Sequence, residues 1–414
     1  MTTPAEPAER LQPGIFFRHG ERPPACYRLL LLNVAAGSRP RDAADAIARV
    51  LEALGALATN EIGRDLENGT SDHAGRPEAA RLSTLVAYGA RLFDPAAHEP
   101  PLTAAPSPRL LRRFEPDDAL FFSLPFAENA EPGLGQADLA LQFLAPSEDL
   151  VARAAVEAWK TVADESLPLE IVGSFEAFQR QDGRGWLEFH DGVSNVEASQ
   201  RRRAIQVSGS DPPWMKAGTY MSFLRLAVDL PLWRSLPRDE QEAVVGRQKV
   251  SGCPLADVVV DEDGLRPVPI NDCPPGPDSS PAAHAAFVDA PSTGKRLVEA
   301  SHIHRSNQNR GSPEQQANFR IFRQGFDYFD GFRDGRPVVG LNFVSFQAGL
   351  DRLLGILQTT GWLGDVNFGG PAAPHPGEPR SPSLMSIVAG GFYAVPSRAL
   401  PFPGAELFGS SPPA

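Results

Sequence analysis

The chain has 414 residues, 42% of them apolar and 22% charged, and a formal net charge of -12. These are the proportions of an ordinary globular protein, long enough for two domains or for one domain built from two similar halves. The acidic balance argues against nucleic acid or an anionic membrane as the main partner.

In chain order, Tyr27–Val34 (YRLLLLNV) is a short apolar strand. A helix over Asp42–Leu57 follows, with Ile47, Val50, Leu51 and Leu54 on one face. Leu82–Phe93 is β-rich, Ala137–Leu144 alternates through Leu139, Leu141 and Phe143, and a helix runs from Ser147, its N-cap, to Val162. Thr219–Asp229 opens a second round as a strand, followed by a polar helix over Pro237–Lys249 and a strand over Ser301–Ser306. Gly340–Phe346 then matches Ala137–Leu144, and Phe346, Leu350, Leu353, Leu354 and Leu357 mark the next helix.

Each round is a β-α-β…β-α-(β) series, so the expected fold is α+β: two tandem ferredoxin-like, split βαβ halves with antiparallel sheets. The expected divisions are 14–181 and 215–403, joined by the loop-rich stretch 182–214. A Pro-rich surface insertion is expected over 261–295. The run Arg201-Arg202-Arg203 reads as a solvated loop.

Cys26, Cys253 and Cys273 are the only cysteines, far apart and without a CxxC. That pattern suits a reducing compartment and speaks against structural zinc. The opening MTTPAEPAERLQPG has no basic region before an apolar core, and no apolar run approaches the ~20 residues of a spanning helix. The expected location is the cytoplasm, with no membrane partner.

Of eight histidines, His19, His73, His98, His284 and His375 lie in loop-like surroundings. His302 and His304, two apart on an expected strand, would share a face, and a His-x-His pair can chelate zinc. No His or Cys cluster completes such a ligand set, apart from the isolated His190-Asp191. Taken singly, His302 reads as a core histidine, Arg323 as a surface arginine and Asp191-Gly192 as a turn. Together, a histidine and an arginine on neighbouring segments suit an iron site better than a hydrolase.

Three segments carry a resemblance to the dye-decolorising peroxidase family of haem enzymes. Glu188-Phe189-His190-Asp191-Gly192 resembles its GxxDG segment, and His302-Ile303-His304-Arg305-Ser306-Asn307-Gln308-Asn309-Arg310 its HIRxxNPR segment. Arg320-Ile321-Phe322-Arg323-Gln324-Gly325-Phe326-Asp327-Tyr328 resembles RIxRRGxPY. LVAYGARLFD, GTYMSFLRL, GLNFVSFQAGLDR and GGFYAVPS are further echoes along nearly the whole chain.

The resemblance implies haem b (iron protoporphyrin IX) in the C-terminal half, with His302 as axial iron ligand. Asp191 would move the peroxide proton and Arg323 would stabilise the leaving hydroxide. Arg247 is the expected partner of a haem propionate, and Ser194 and Asn195 would order the loop of Asp191. The implied activity is oxidation of dyes, phenols or other small reductants by hydrogen peroxide through a ferryl intermediate. The alternative is a haem-binding or haem-handling protein with weak turnover. Trp186, Tyr220, Trp233, Tyr328 and Trp362 are candidate electron relays, although aromatics at such positions are more often core, and a homo-oligomer fits exposed sheet edges.

The chain departs from the family at Gln308, where proline stands, and at His304, where arginine is usual. It also has Glu188 in place of the first motif glycine. A glutamate there would be strained if the position needs φ > 0, and as a second carboxylate it would raise a neighbouring pKa.

Overall fold

The computed structural model describes residues 11–15, 23–67, 82–102, 131, 133–191, 195–196, 198–207, 212–262, 264–270, 294–306, 320–357, 384–399 and 401–409. The first half has β1 (Cys26–Val34), α1 (Ala43–Glu67), β2 (Ser83–Gly89), β3 (Leu139–Ala145), α2 (Glu148–Asp164) and β4 (Leu169–Phe178). Then come α3 (Ala198–Ile205), β5 (Thr219–Val228), α4 (Leu230–Ser235), α5 (Arg238–Val245), β6 (Leu255–Asp261) and β7 (Gly264–Pro269). The remainder is α6 (Arg296–Glu299), α7 (His302–Arg305), β8 (Phe322–Arg333), β9 (Arg336–Gln347), α8 (Asp351–Leu357) and β10 (Met385–Val395).

Eight strands close a barrel in the order β1-β3-β2-β10-β5-β9-β8-β4. Within it, β4-β1-β3-β2 and β10-β5-β9-β8 are the same arrangement of fourth, first, third and second strand. That is the split βαβ order repeated, with every pairing antiparallel. The seams between the two sheets are short: Tyr393↔Gly89 and Ala394↔Tyr88 on one side, Phe178↔Asp327 on the other.

β1 reads as an unbroken apolar run because both its faces are buried. Leu29 and Leu31 join the cluster containing Phe223, Phe326 and Phe346 inside the barrel. Leu30 and Leu32 join the outer cluster with Ile47, Val50 and Leu54 of α1 and Leu150, Val151 and Ala154 of α2. Burying both faces removes the alternation that a half-exposed strand shows. Tyr27 of β1 stacks on Phe326 of β8, ring centroids 4.6 Å apart, so the two sheets share one interior.

Several expectations are corrected. Ser301–Ser306 is not a strand: His302–Arg305 is a single helical turn, and the second strand of the second half is β8. Part of the expected surface insertion is the β6–β7 hairpin, whose second strand is Gly264–Pro269, while 271–293 lies outside the described residues. Arg201–Arg203 lies on α3, where half-buried Arg201 stacks 3.9 Å over the Phe322 ring. Ser147 occupies the N-cap of α2 without a side-chain hydrogen bond. Cys253 is disulfide-bonded and Cys26 is a free thiol, so the cysteines give no support to a reducing compartment. Among the described helices none is long and apolar enough to cross a membrane.

Candidate functional site

The site forms on the outer face of the second-half sheet. Along β8, Phe322, Phe326 and Tyr328 point into the barrel interior. Alternation therefore turns Arg323, Gly325 and Asp327 outward together. Over them lies a miniature hairpin spanning 183–191. The Asp191 N–H donates to the Gly183 carbonyl at 2.9 Å, Gly185 N–H to Phe189 at 3.2 Å, and Glu188 N–H to Gly185 at 2.8 Å. Asn195 ties the following chain to β8: its Nδ2 donates to the Arg323 carbonyl at 2.7 Å and its Oδ1 accepts from the Arg323 N–H at 3.1 Å. Gly192 and Ser194 lie outside the described residues.

The hairpin brings the Asp191 carboxylate onto Gly325, where a Cβ would stand 2.3 Å from Asp191 Oδ2. Glu188 has φ 64°, so the position where the family has glycine does use the left-handed region. Its carboxylate pairs with Lys249 Nζ at 2.6 Å. The hydrogen bond from Lys249 holds Glu188 below the usual carboxylate range, so the upward shift expected of one of the two carboxylates does not fall on Glu188.

His302 arrives from the other side of the sequence. Helix α5 ends at Gly246, φ 88°, in a left-handed cap. A Cβ at Gly246 would lie 2.3 Å from Ser301 Oγ and 2.7 Å from Ile303 Cγ1, so only glycine lets α7 pack this closely. The same turn delivers Arg247, which is 5% exposed and donates through Nη1 to the Gly252 carbonyl at 3.0 Å.

Burial, with the charges of the Arg323 and Arg247 guanidiniums adding to it, lowers the His302 imidazole to about 3. Burial likewise brings Arg247 down to about 10, with Arg323 contributing. Arg323 is lowered by burial and supported by the Asp191 carboxylate. Arg323 thus lies within electrostatic reach of the other three: the neutral imidazole of His302, the Arg247 guanidinium, cationic at neutral pH like its own, and the Asp191 carboxylate. Because α7 is helical, His302 and His304 are about 200° apart around its axis and do not share a face. Among the described residues, no three His, Cys, Asp or Glu side chains gather as metal ligands.

Two neighbours escaped the sequence reading. Asp327, 6% exposed, is pushed up to about 7 by burial and by the charge of Asp191, against a backbone hydrogen bond from Trp186. Arg184 contacts both the hairpin and the segment after Arg247. Of the candidate relays, Tyr220, Trp233 and Tyr328 are buried core residues, Trp186 Nε1 donates to the Tyr328 carbonyl, and Trp362 lies outside the described residues.

The family model for the C-terminal part of Dyp-type peroxidases matches residues 182–399, which contain every one of these side chains. A dye-decolorizing peroxidase of Mycolicibacterium paratuberculosis is 27% identical over 202 residues, 46% of this chain and 52% of that protein. One from Rhodococcus erythropolis is 29% identical over 126 residues, 30% of this chain and 34% of its own length. The chain thus spans about a third to a half of these curated relatives. The fold is shared more fully. A DyP-type peroxidase from Cellulomonas bogoriensis superposes with a TM-score of 0.63 at 19% identity, covering 98% of this chain and 100% of that one. Ferric DtpA from Streptomyces lividans gives 0.63 at 21% identity, covering 99% and 100%. By its matched family model, the chain belongs to the Dyp-type peroxidase family.

Proposed function

We propose that the chain is a haem b peroxidase that uses hydrogen peroxide to oxidise small organic reductants such as dyes or phenols. The observation that carries this reading is the convergence of His302, Arg247, Arg323 and Asp191. The donor set fits haem. A single imidazole is too little to hold a bare ion, but it would suit an iron that a porphyrin already holds. The guanidiniums match the two carboxylate tails of the macrocycle and the anionic charge that peroxide chemistry generates.

When bound, haem would supply the redox-active iron that two-electron peroxide chemistry with one-electron reductants needs. The chain supplies the rest. His302, kept neutral by burial and by two nearby cations, has its lone pair free of a proton and able to ligate. Arg247, nearly buried, is the counter-charge for a propionate. Asp191 is exposed at the mouth of its hairpin and carries the proton of bound peroxide from one oxygen to the other. Arg323 keeps its charge in a half-buried position, as arginine does better than lysine, and stabilises the negative charge that develops on the departing oxygen until the proton from Asp191 makes it water.

Reconstitution with haem tests the reading. The haem-loaded chain should show a Soret band that His302→Ala loses. Asp191→Asn and Arg323→Leu should bind haem yet lose dye oxidation by roughly 10²- to 10⁴-fold, the usual weight of a general acid–base group. Haem retained in His302→Ala but lost in His304→Ala would overturn the ligand assignment. A stable Soret band with no peroxide-dependent oxidation would favour the haem-handling alternative.

A further inference from the structure

Arg184 uses one guanidinium to hold two loops. Its Nη1 donates to the carbonyls of Glu188 and Lys249, each at 2.7 Å. Its Nη2 lies 2.7 Å from His190 Nε2 and 3.3 Å from the Val250 carbonyl. Two of these acceptors belong to the hairpin that ends at Asp191, and two to the segment that begins at Arg247. A second link runs beside the first: Lys249 Nζ joins Glu188 at 2.6 Å and Gln241 Oε1 of α5 at 2.7 Å.

We propose that Arg184 is a positioning residue, clasping the Asp191 hairpin to the Arg247 segment so that Asp191 is held at a fixed place over the site. This rests on the peroxidase reading for its chemistry and on hydrogen bonds alone for its geometry. Backbone carbonyls are the main acceptors, so the clasp fixes the course of both loops rather than one rotamer. The rigid planar fork of arginine suits this, and a lysine point charge does not.

The clasp also has a protonation requirement. A guanidinium carries only donors, so His190 Nε2 must accept, and the ring proton sits on Nδ1. Adding a proton to His190 sets donor against donor and cation against cation. Arg184 is the charged group on the ring itself, and the charges tied to the clasp are Asp191 next in sequence, Asp182, whose Oδ1 accepts from the Arg184 backbone N–H at 3.1 Å, and the Glu188–Lys249 pair. The clasp is therefore closed when His190 is neutral and opens when it is protonated.

The test compares the wild-type full chain with R184M, R184K, H190Q and H190F. Two readouts are used: amide hydrogen exchange at Gly185, Glu188 and Asp191 in the haem-free chain, and peroxide kcat/KM against pH in the haem-loaded chain. R184M and R184K should exchange faster at these amides and lose about tenfold to a hundredfold in kcat/KM, the effect of a displacement of about 1 Å, with the Soret band retained. H190Q keeps an acceptor at every pH, so it should match wild type at pH 7.5 and lack the fall on acidification. H190F has no acceptor and should behave at pH 7.5 as the wild type does in acid.

Wild-type exchange and kcat/KM in R184M would overturn the proposal. If R184M does not fold, an acid fall in H190Q equal to that of wild type overturns it just as well. Altered exchange in these variants alongside a wild type that oxidises no dye would sustain the clasp and refute the peroxidase reading instead.

Discussion

The carboxylate of Asp191 rests directly on the Cα of Gly325: a side chain there would begin 2.3 Å from Oδ2. Asp191 is the exposed end of a short flexible side chain, so it can swing aside, and Gly325 needs no left-handed φ. Gly325→Ala should therefore cost little stability, under about 1 kcal/mol. It should displace the proposed proton-carrying oxygen and lower peroxide kcat/KM by about 10²-fold. Chemical denaturation together with stopped-flow kinetics checks both halves. A wild-type rate in Gly325→Ala would mean that Asp191 does not act from this position.

Glu188 tests whether the family glycine was replaced at a cost. With φ 64°, an L-residue carries about 1–2 kcal/mol of local strain, while its partly exposed pair with Lys249 returns about 0–1 kcal/mol. Glu188→Gly relieves the strain and loses the pair, so its stability should stay within about 1 kcal/mol of wild type. Glu188→Ala loses the pair and keeps the strain, and should be the less stable of the two. The order of their denaturation midpoints decides.

The parts of the molecule readable from sequence are those governed by local periodicity and by side chains with one chemical use. The strands at Tyr27, Thr219 and Gly340 declare themselves by apolar runs and alternation, and repetition of that series carries the duplicated fold. His302, Asp191, Arg323 and Arg247 stand in short segments that single them out in the sequence, and the structure puts Arg323 within electrostatic reach of the other three. Ser301–Ser306 misled because apolar–polar alternation over so few residues fits a strand or a helical turn. What decides it is the packing of Ser301 and Ile303 against Gly246, some fifty residues earlier. Arg184 was silent for a related reason: its acceptors are mostly backbone carbonyls, and those leave no mark in a sequence.

Gly246 gives the reverse case of a glycine that cannot be replaced. Its φ is 88°, and a Cβ would stand 2.3 Å from Ser301 Oγ, with Ser301 itself fully buried. Gly246→Ala should push α7 away and disturb Arg247 at the same turn. The expected result is about 1–3 kcal/mol of lost stability and a weaker, broadened Soret band on haem titration. Retention of wild-type haem affinity would show that α7 is not what holds His302 in place.

Asp327 makes stability depend on pH. In the folded chain its carboxyl is pushed up to about 7, first by burial and then by the charge of Asp191; its ordinary value is 3.8. Between those values the folded state keeps a proton that the unfolded state has released. The proton count then favours folding less as pH rises, so stability falls from about pH 4 to about pH 7 and levels off above. Asp327→Asn has no proton to lose. Relative to wild type it should gain stability across that window, by up to about 4 kcal/mol and less where the site relaxes. Asp191→Asn removes the second cause and should shift the same transition to lower pH. Urea denaturation of the haem-free chain at pH 4.5 and 8 measures the difference. An equal gap between wild type and Asp327→Asn at both pH values would show that this carboxyl titrates normally, and that Asp191 and Asp327 do not share one electrostatic environment.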